Sequence, residues 1–193
     1  LSYINNDKGI TSFYNNSFEI DNYLDQLKEK KEQYSDDYRK VLGQELFKQY
    51  KDLKNNDKQL KQIKSLSNSN TFTVCTGHQL NLFTGPLYFF YKIIDAIKIC
   101  DQLKLKYPEY NFVPIYWMAS EDHDFEEINF FNLNKTKFEW NINSKGPVGR
   151  LKTNDLSIVF EKLKSFFKNS NDKNLLSLFK SSKSRCWRSY SAC

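Results

Sequence analysis

The chain has few cysteines and histidines, and their positions exclude several common kinds of site. The four cysteines among 193 residues are Cys75, Cys100, Cys186 and Cys193, and none forms a C-x-x-C pair. A zinc ribbon or a thioredoxin-type motif is therefore not indicated. No basic segment precedes a short apolar run, and no apolar run approaches the roughly 20 residues of a membrane span. We expect a cytoplasmic protein without membrane contact and without a bound metal.

Arginine is also scarce, which argues against a nucleic-acid partner. The net charge is +6 and the pI is about 9.0, a balance that permits contact with nucleic acids. The chain has only four arginines, however, and they form no cluster with interleaved aromatic residues. Its lysines alternate with acidic residues in stretches such as 27–32 and 48–54, which is typical of solvated helix faces. We expect no nucleic-acid partner. The alternative predicts steeply salt-dependent binding to DNA or RNA.

The residues that are present predict an α/β fold. After an irregular arm, apolar residues at helical spacing predict three helices, over Ile20–Tyr34, Val41–Leu53 and Asp57–Leu66. The pattern then changes to a strand, a helix and a second strand: Thr71–Thr76, which we expect Gly77 to end, Leu87–Lys106, and Phe112–Met118. The second strand is apolar on both faces, which is the mark of a parallel sheet covered by helices. We therefore predict a right-handed βαβ unit whose long, mostly apolar helix is largely buried.

The chain beyond Asp124 is less regular. Phe125–Leu133 fits either a helix or a strand. Downstream, the pattern predicts a strand over 137–143 and a turn over 144–149. Asp155 or Ser157 can cap a helix that runs through Phe167, and another helix is predicted over 173–179.

Two polar loops follow the two predicted strands. Thr76–Pro86 follows the first, Ser120–Asp124 follows the second, and they contain the only histidines, His78 and His123. Ligands of doubly wound sheets bind beyond the carboxyl ends of the strands, so both loops should lie at one edge of the sheet. This convergence predicts a small-molecule site.

The first loop has the features of an anion-binding turn. It matches neither G-x-G-x-x-G nor the Walker A pattern, but its glycines lie ahead of a helix and can offer backbone N–H groups. His78 and Gln79 can hydrogen-bond a substrate. Lys92 can reach a carboxylate or phosphate, or it is simply a solvated lysine of the helix.

The second loop places three carboxylates and an imidazole at four consecutive positions, Glu121 to Asp124. Such a group suits general acid–base chemistry or the binding of an amino group. Two other interpretations stay open. Asp124 can cap a following helix, and His123 with Asp124 can contribute to a metal site only if further ligands come from elsewhere.

The catalytic candidates are His78, Asp122, His123 and Asp124. The candidates for binding a substrate or nucleotide are Thr76, Gly77, Gln79, Asn81, Thr84, Gly85, Tyr88, Lys92, Ser120 and Glu121.

Three blocks of the sequence resemble one family. Thr76–Lys92 reads TGHQLNLFTGPLYFFYK, Pro114–Glu127 reads PIYWMASEDHDFEE, and Gly146–Leu151 reads GPVGRL. All three are similar to the cysteine ligase of bacillithiol biosynthesis, the cysteine-adding enzyme family. The resemblance covers residues 1 to about 180.

The resemblance implies a fold, a reaction and an assembly. It implies a Rossmann-like parallel core, incomplete here, with an inserted connecting module, and a C-terminal coiled coil that makes the full-length enzyme a homodimer. The implied reaction joins cysteine to glucosaminyl malate through an amide bond, and the use of ATP is left open. We do not expect this N-terminal portion to dimerise. The expected domains are 1–70 (arm and helices), 71–135 (core), 136–180 (connecting module) and 181–193 (atypical tail).

The last thirteen residues affect what activity we expect from this chain. Ser181–Cys193 does not resemble the family and carries two of the four arginines and two of the four cysteines, as a frameshift would produce. We expect the fragment to have little ligase activity. The alternative is a module that binds a nucleotide or amino acid without catalysis.

Overall fold

The structure is a computed structural model, and it describes residues 1–183. Its helices and strands follow the order predicted from the sequence. The helices are α1 (Tyr23–Gln33), α2 (Asp36–Tyr50), α3 (Asp57–Ser65), α4 (Leu87–Lys106), α5 (Phe125–Ile128), α6 (Leu156–Lys164) and α7 (Ser170–Lys183). The strands are β1 (Thr71–His78), β2 (Asn111–Met118), β3 (Phe130–Leu133) and β4 (Thr136–Glu139). The expected tail lies outside the described residues from position 184 onward.

The described chain divides into two compact units. Unit 1 comprises Leu1–Val74 and Ile97–Pro114, and unit 2 comprises Cys75–Ala96 and the described residues from Ile115 onward. The domain limits expected from the sequence stay a prediction.

β1 and β2 form a two-stranded parallel sheet, which confirms the predicted α/β fold with N-terminal helices. Asn111 N donates to Asn70 O at 2.9 Å at the start of the strands, and Ala119 N donates to His78 O at 3.1 Å at their end. The register between β1 and β2 is therefore the same at both ends. α4 connects them. None of the helices within residues 1–183 combines the length and the apolar composition that a bilayer crossing requires.

The core of unit 1 packs α1 and the C-terminal half of α4 against the strands. Leu27, Phe72, Leu103 and Phe112 are buried there, and Leu103 is only 1% exposed. Asn111 Nδ2 donates to Ser65 Oγ at 3.0 Å, which ties the start of β2 to the end of α3. The helical periodicity of the sequence thus predicted the buried Leu27 of α1 correctly, but Val41 and Phe47 on the apolar face predicted for the second helix are exposed.

The core of unit 2 is largely aromatic. β3 and β4 form an antiparallel hairpin whose two-residue turn, Asn134–Lys135, has positive φ at both positions. Phe138 of β4 is fully buried and stacks on Phe131 at 4.9 Å, while Val148 lies in the same cluster. The ambiguous stretch 125–133 therefore holds both a short helix and a strand.

The expectation that α4 is largely buried is wrong. Leu87, Phe90, Tyr91 and Ile94 are each more than 40% exposed, although Ala96 is buried. A two-stranded sheet covers only one side of a helix that is apolar on most of its circumference. The other side therefore faces solvent in the described chain.

Candidate functional site

The two loops begin at neighbouring strand ends. His78 closes β1, and its carbonyl oxygen accepts hydrogen bonds from Ala119 N at 3.1 Å and from the Tyr116 hydroxyl at 3.0 Å. Burial raises the pKa of Tyr116 to about 12, so its hydroxyl stays a neutral donor. The structure thus brings the two loops together at the edge of the sheet where the strand pattern predicted them.

Gly77 does not end β1 as expected, because the strand continues to His78. A Cβ at position 77 would lie 3.1 Å from Trp117 O and 3.2 Å from Trp117 Cβ. The glycine therefore permits close packing between the strands just before the loops begin. Thr76 also lies within β1 and not in a loop.

The first loop is held in an unusual backbone conformation. Phe83 and Thr84 have φ values of 49° and 75°, which are uncommon for side chains larger than glycine, and Gly85 follows at 62°. The Phe83 ring is anchored among Phe131 and Phe160, with ring centroids at 5.0 and 4.9 Å. This aromatic packing stabilises the strained turn and fixes the loop's shape.

His78 lies in a hydrogen-bonded network with two other predicted site residues. Asn81 Nδ2 lies 2.8 Å from His78 Nδ1, and His78 Nε2 lies 2.5 Å from the Tyr88 hydroxyl. In the tautomer in which Nδ1 accepts from the Asn81 amide, Nε2 donates to Tyr88 Oη. The tyrosine proton is then available to a ligand.

Gln79 links the first loop to α5. Its Nε2 donates to Glu127 Oε2 at 2.7 Å. Lys92 turns back to the first loop, where its Nζ donates to the carbonyl oxygen of Gly77. Glu127 was not among the candidates from the sequence. Its only sequence signal was its place in the second resemblance block.

The carboxylates of the second loop mainly shape the loop itself. Asp122 Oδ1 accepts from Asp124 N at 2.8 Å, and Asp124 Oδ1 caps α5 by accepting from Glu127 N at 3.3 Å. Glu121 Oε1 accepts from Trp117 Nε1 at 3.3 Å. The capping interpretation of Asp124 therefore describes the geometry.

His123 stands apart from the other catalytic candidates. Its side chain is exposed and has no hydrogen-bond partner among residues 1–179, whose side chains the structure describes. Within that same range, no three His, Cys, Asp or Glu side chains are grouped to hold a metal ion.

The third resemblance block packs on the second loop. Gly149 N donates to Ser120 O at 2.8 Å, and Val148 N donates to Asp122 O at 2.7 Å. Two backbone hydrogen bonds from the third block thus hold the second loop in place. Site reasoning from the sequence missed this support, although it had noted the segment as part of the resemblance.

A cavity of about 570 Å³ opens beside the first loop within unit 2. Its polar wall includes Asn81, Thr84, Tyr88 and Glu127, and its apolar wall includes Phe130 and Phe131. Four predicted binding residues, Asn81, Thr84, Gly85 and Tyr88, therefore border one space that is large enough for a small metabolite.

The two described cysteines should differ in reactivity. Cys75 is exposed, whereas burial raises the pKa of the Cys100 thiol to about 11. We expect iodoacetamide at about pH 8 to label Cys75 at least ~10-fold faster than Cys100, because alkylation needs an accessible thiolate. Peptide mass spectrometry on native and urea-unfolded protein measures both rates. Equal rates in the native protein would contradict the burial of Cys100.

Comparison with known proteins identifies relatives of the chain. The family model described as "Bacillithiol biosynthesis BshC, N-terminal Rossmann-like domain" matches residues 1–189. "Putative cysteine ligase BshC" of Flavobacterium psychrophilum is 49% identical over 166 residues, which are 86% of this chain and 31% of that protein. The Christiangramia forsetii protein of the same name is 53% identical over 165 residues, 83% of this chain and 31% of that protein.

A more distant relative matches a shorter part. The protein of that name from Chlorobaculum tepidum is 39% identical over 91 residues, which are 47% of this chain. The chain spans about 31% of the length of the two more similar relatives. Its sequence and its parallel βαβ core together show that the chain belongs to the BshC family and carries the family's N-terminal Rossmann-like domain.

Proposed function

We propose that this domain supplies part of the active site of a ligase that joins cysteine to glucosaminyl malate by an amide bond in bacillithiol biosynthesis. The observation that carries the proposal is the meeting of the two loops. Ala119 bonds to His78 at the strand ends, and Gln79 bonds to Glu127 beyond them. The relatives' names support the same reaction class. Because the substrate cysteine and the product both carry a free thiol, we propose that the reaction takes place in the reducing cytoplasm.

The residues divide into two proposed roles. Amide formation needs an amine nucleophile that loses a proton, and His78, Asp122, His123 and Asp124 are the groups in or beside the loops that we propose for proton transfer. The ten binding candidates named from the sequence would hold the substrates. A carboxylate does not condense with an amine without activation, so we include ATP as the co-substrate to be tested.

The relatives' length leads to a second proposal. Because this chain spans about 31% of them, we propose that the domain alone has little ligase activity and that homodimerisation belongs to the longer proteins. The alternative is a binding module without catalysis. The cavity beside the first loop, which several predicted binding residues line, is the observation that favours it.

The deciding experiment is a ligase assay with cysteine and glucosaminyl malate, with and without ATP, read by mass spectrometry. We expect product from a protein of the relatives' length that contains this domain, and little from the 193-residue chain. In the longer protein, Asp122→Asn should lower kcat by at least ~10-fold, as expected for loss of a group that transfers a proton.

Asp155→Asn serves as the matched control, because Asp155 is exposed and makes no side-chain capping bond to α6. Product at full rate from the 193-residue chain would refute the fragment proposal. No product from the longer protein under either condition would favour the binding module.

A further inference from the structure

The cavity beside the first loop carries one uncompensated negative charge. Glu127 is the only charged side chain among the described residues that line it. Gln79 Nε2 donates to one of its carboxylate oxygens at 2.7 Å, and no lysine or arginine among residues 1–179, whose side chains the structure describes, forms a salt bridge with it. The carboxylate is therefore oriented by a neutral donor and is placed to attract a cationic ligand.

The rest of the cavity wall narrows the ligand class. Phe130, Phe131 and Phe167 give it an aromatic surface. Aromatic faces attract ammonium groups, and ring edges make favourable contacts with sulfur. A small ammonium compound with an apolar or sulfur-containing body fits this combination better than a sugar or a phosphate does.

Tyr88 supplies a complementary group on the same wall. Its hydroxyl lies 2.5 Å from His78 Nε2 and borders the cavity, and in the tautomer with the proton on Nε2 the tyrosine proton is free to donate to an acceptor on the ligand. A ligand that carries both an ammonium group and a carboxylate can therefore meet Glu127 with one end and Tyr88 with the other. An α-amino acid has this arrangement.

We infer that this cavity is the cysteine subsite, in which Glu127 binds the α-ammonium group and Tyr88 donates to the carboxylate. The inference rests on the proposed function for the identity of the amino acid. It places the carboxylate that becomes the amide next to His78, at the end of β1. Glu127 is here a residue that determines specificity, and it takes no part in proton transfer.

Isothermal titration of the 193-residue chain with three thiols under reducing conditions tests the inference. L-cysteine carries both charged groups, cysteamine lacks the carboxylate, and 3-mercaptopropionate lacks the ammonium group. We expect Glu127→Gln to weaken cysteine and cysteamine at least ~10-fold and to leave 3-mercaptopropionate unchanged, since a neutral amide keeps the contact with Gln79 but loses the charge. Tyr88→Phe should weaken cysteine and 3-mercaptopropionate and spare cysteamine.

Glu126→Gln is the matched control, because Glu126 is an exposed neighbour on α5 that does not line this cavity. Circular dichroism checks that each variant is folded, and Tyr88→Phe gives an independent test if Glu127→Gln is not. Equal losses of cysteine affinity in the Glu126→Gln and Glu127→Gln proteins would overturn the inference. The absence of saturable cysteine binding to the unsubstituted chain would also overturn it. Glu127-dependent binding without ligase activity in the longer protein would instead refute only the proposed reaction.

Discussion

Replacement of Arg39 by methionine is expected to lower the unfolding free energy by about 3–5 kcal/mol, because several buried carbonyl groups lose their donor. Arg39 lies in α2 and is only 6% exposed. Its Nη1 donates to Leu66 O, Asn68 O and Thr71 O at 3.3, 3.1 and 2.7 Å, and its Nη2 donates to Ser69 O at 3.3 Å. One side chain therefore organises the whole connection between α3 and β1.

The surroundings of Arg39 explain why methionine is the informative substitution. The guanidinium carbon lies 5.4 Å from the centre of the Tyr34 ring and 5.8 Å from that of Phe72. Methionine keeps most of this apolar contact while it removes every donor. The loss thus measures the hydrogen bonds to the loop and not a cavity.

Urea unfolding followed by circular dichroism measures the effect. Arg150→Met is the control, since Arg150 is exposed and its loss should change stability by less than ~0.5 kcal/mol. The unfolding free energy of the Arg39→Lys protein should fall between those of the Arg39→Met and Arg150→Met proteins. One ammonium group cannot reach all the carbonyl groups that the guanidinium reaches. Equal stabilities of the Arg39→Met and Arg150→Met proteins would show that the loop does not depend on the guanidinium.

The second large effect is expected from Gly149→Ala. A Cβ at this position would lie 2.5 Å from Ser120 Cβ and 2.8 Å from Ser120 O, so the second loop must move. Overpacking and the loss of the hydrogen bonds from Gly149 N and Val148 N should together cost about 2–4 kcal/mol. We also expect faster hydrogen exchange across residues 119–124.

Gly43→Ala provides the contrast for this prediction. Gly43 lies inside α2, where the nearest atoms to an added Cβ are 3.9 Å away. Alanine there should stabilise the protein by about 0.5–1 kcal/mol, because glycine is the poorer helix former. Urea unfolding and hydrogen exchange by mass spectrometry follow both variants. Unchanged exchange across 119–124 in Gly149→Ala would mean that the third block does not hold the second loop.

Periodicity predicted the long elements well and the short ones poorly. α4 occupies the predicted range Leu87–Lys106, and β2 begins one residue before the predicted Phe112. The sequence predicted a strand over 137–143, whereas β4 spans Thr136–Glu139, and it left 125–133 open between helix and strand. The pairing of β3 with β4 was not predicted, because four-residue strands are too short to show a clear period. Its turn also uses Asn134 and Lys135 at positive φ, without the glycine that usually marks such turns.

The sequence by itself determined the order of most α/β elements and the two loops at the strand ends, because spacing and local composition encode these features. The three motif blocks carried the resemblance that indicated the family. Only the tertiary structure decided which side of α4 is covered, that Gly149 supports Ser120, and that Gln79 orients Glu127. These three depend on contacts between residues that are far apart along the chain. No local pattern carries that information, since such contacts arise only when the segments pack.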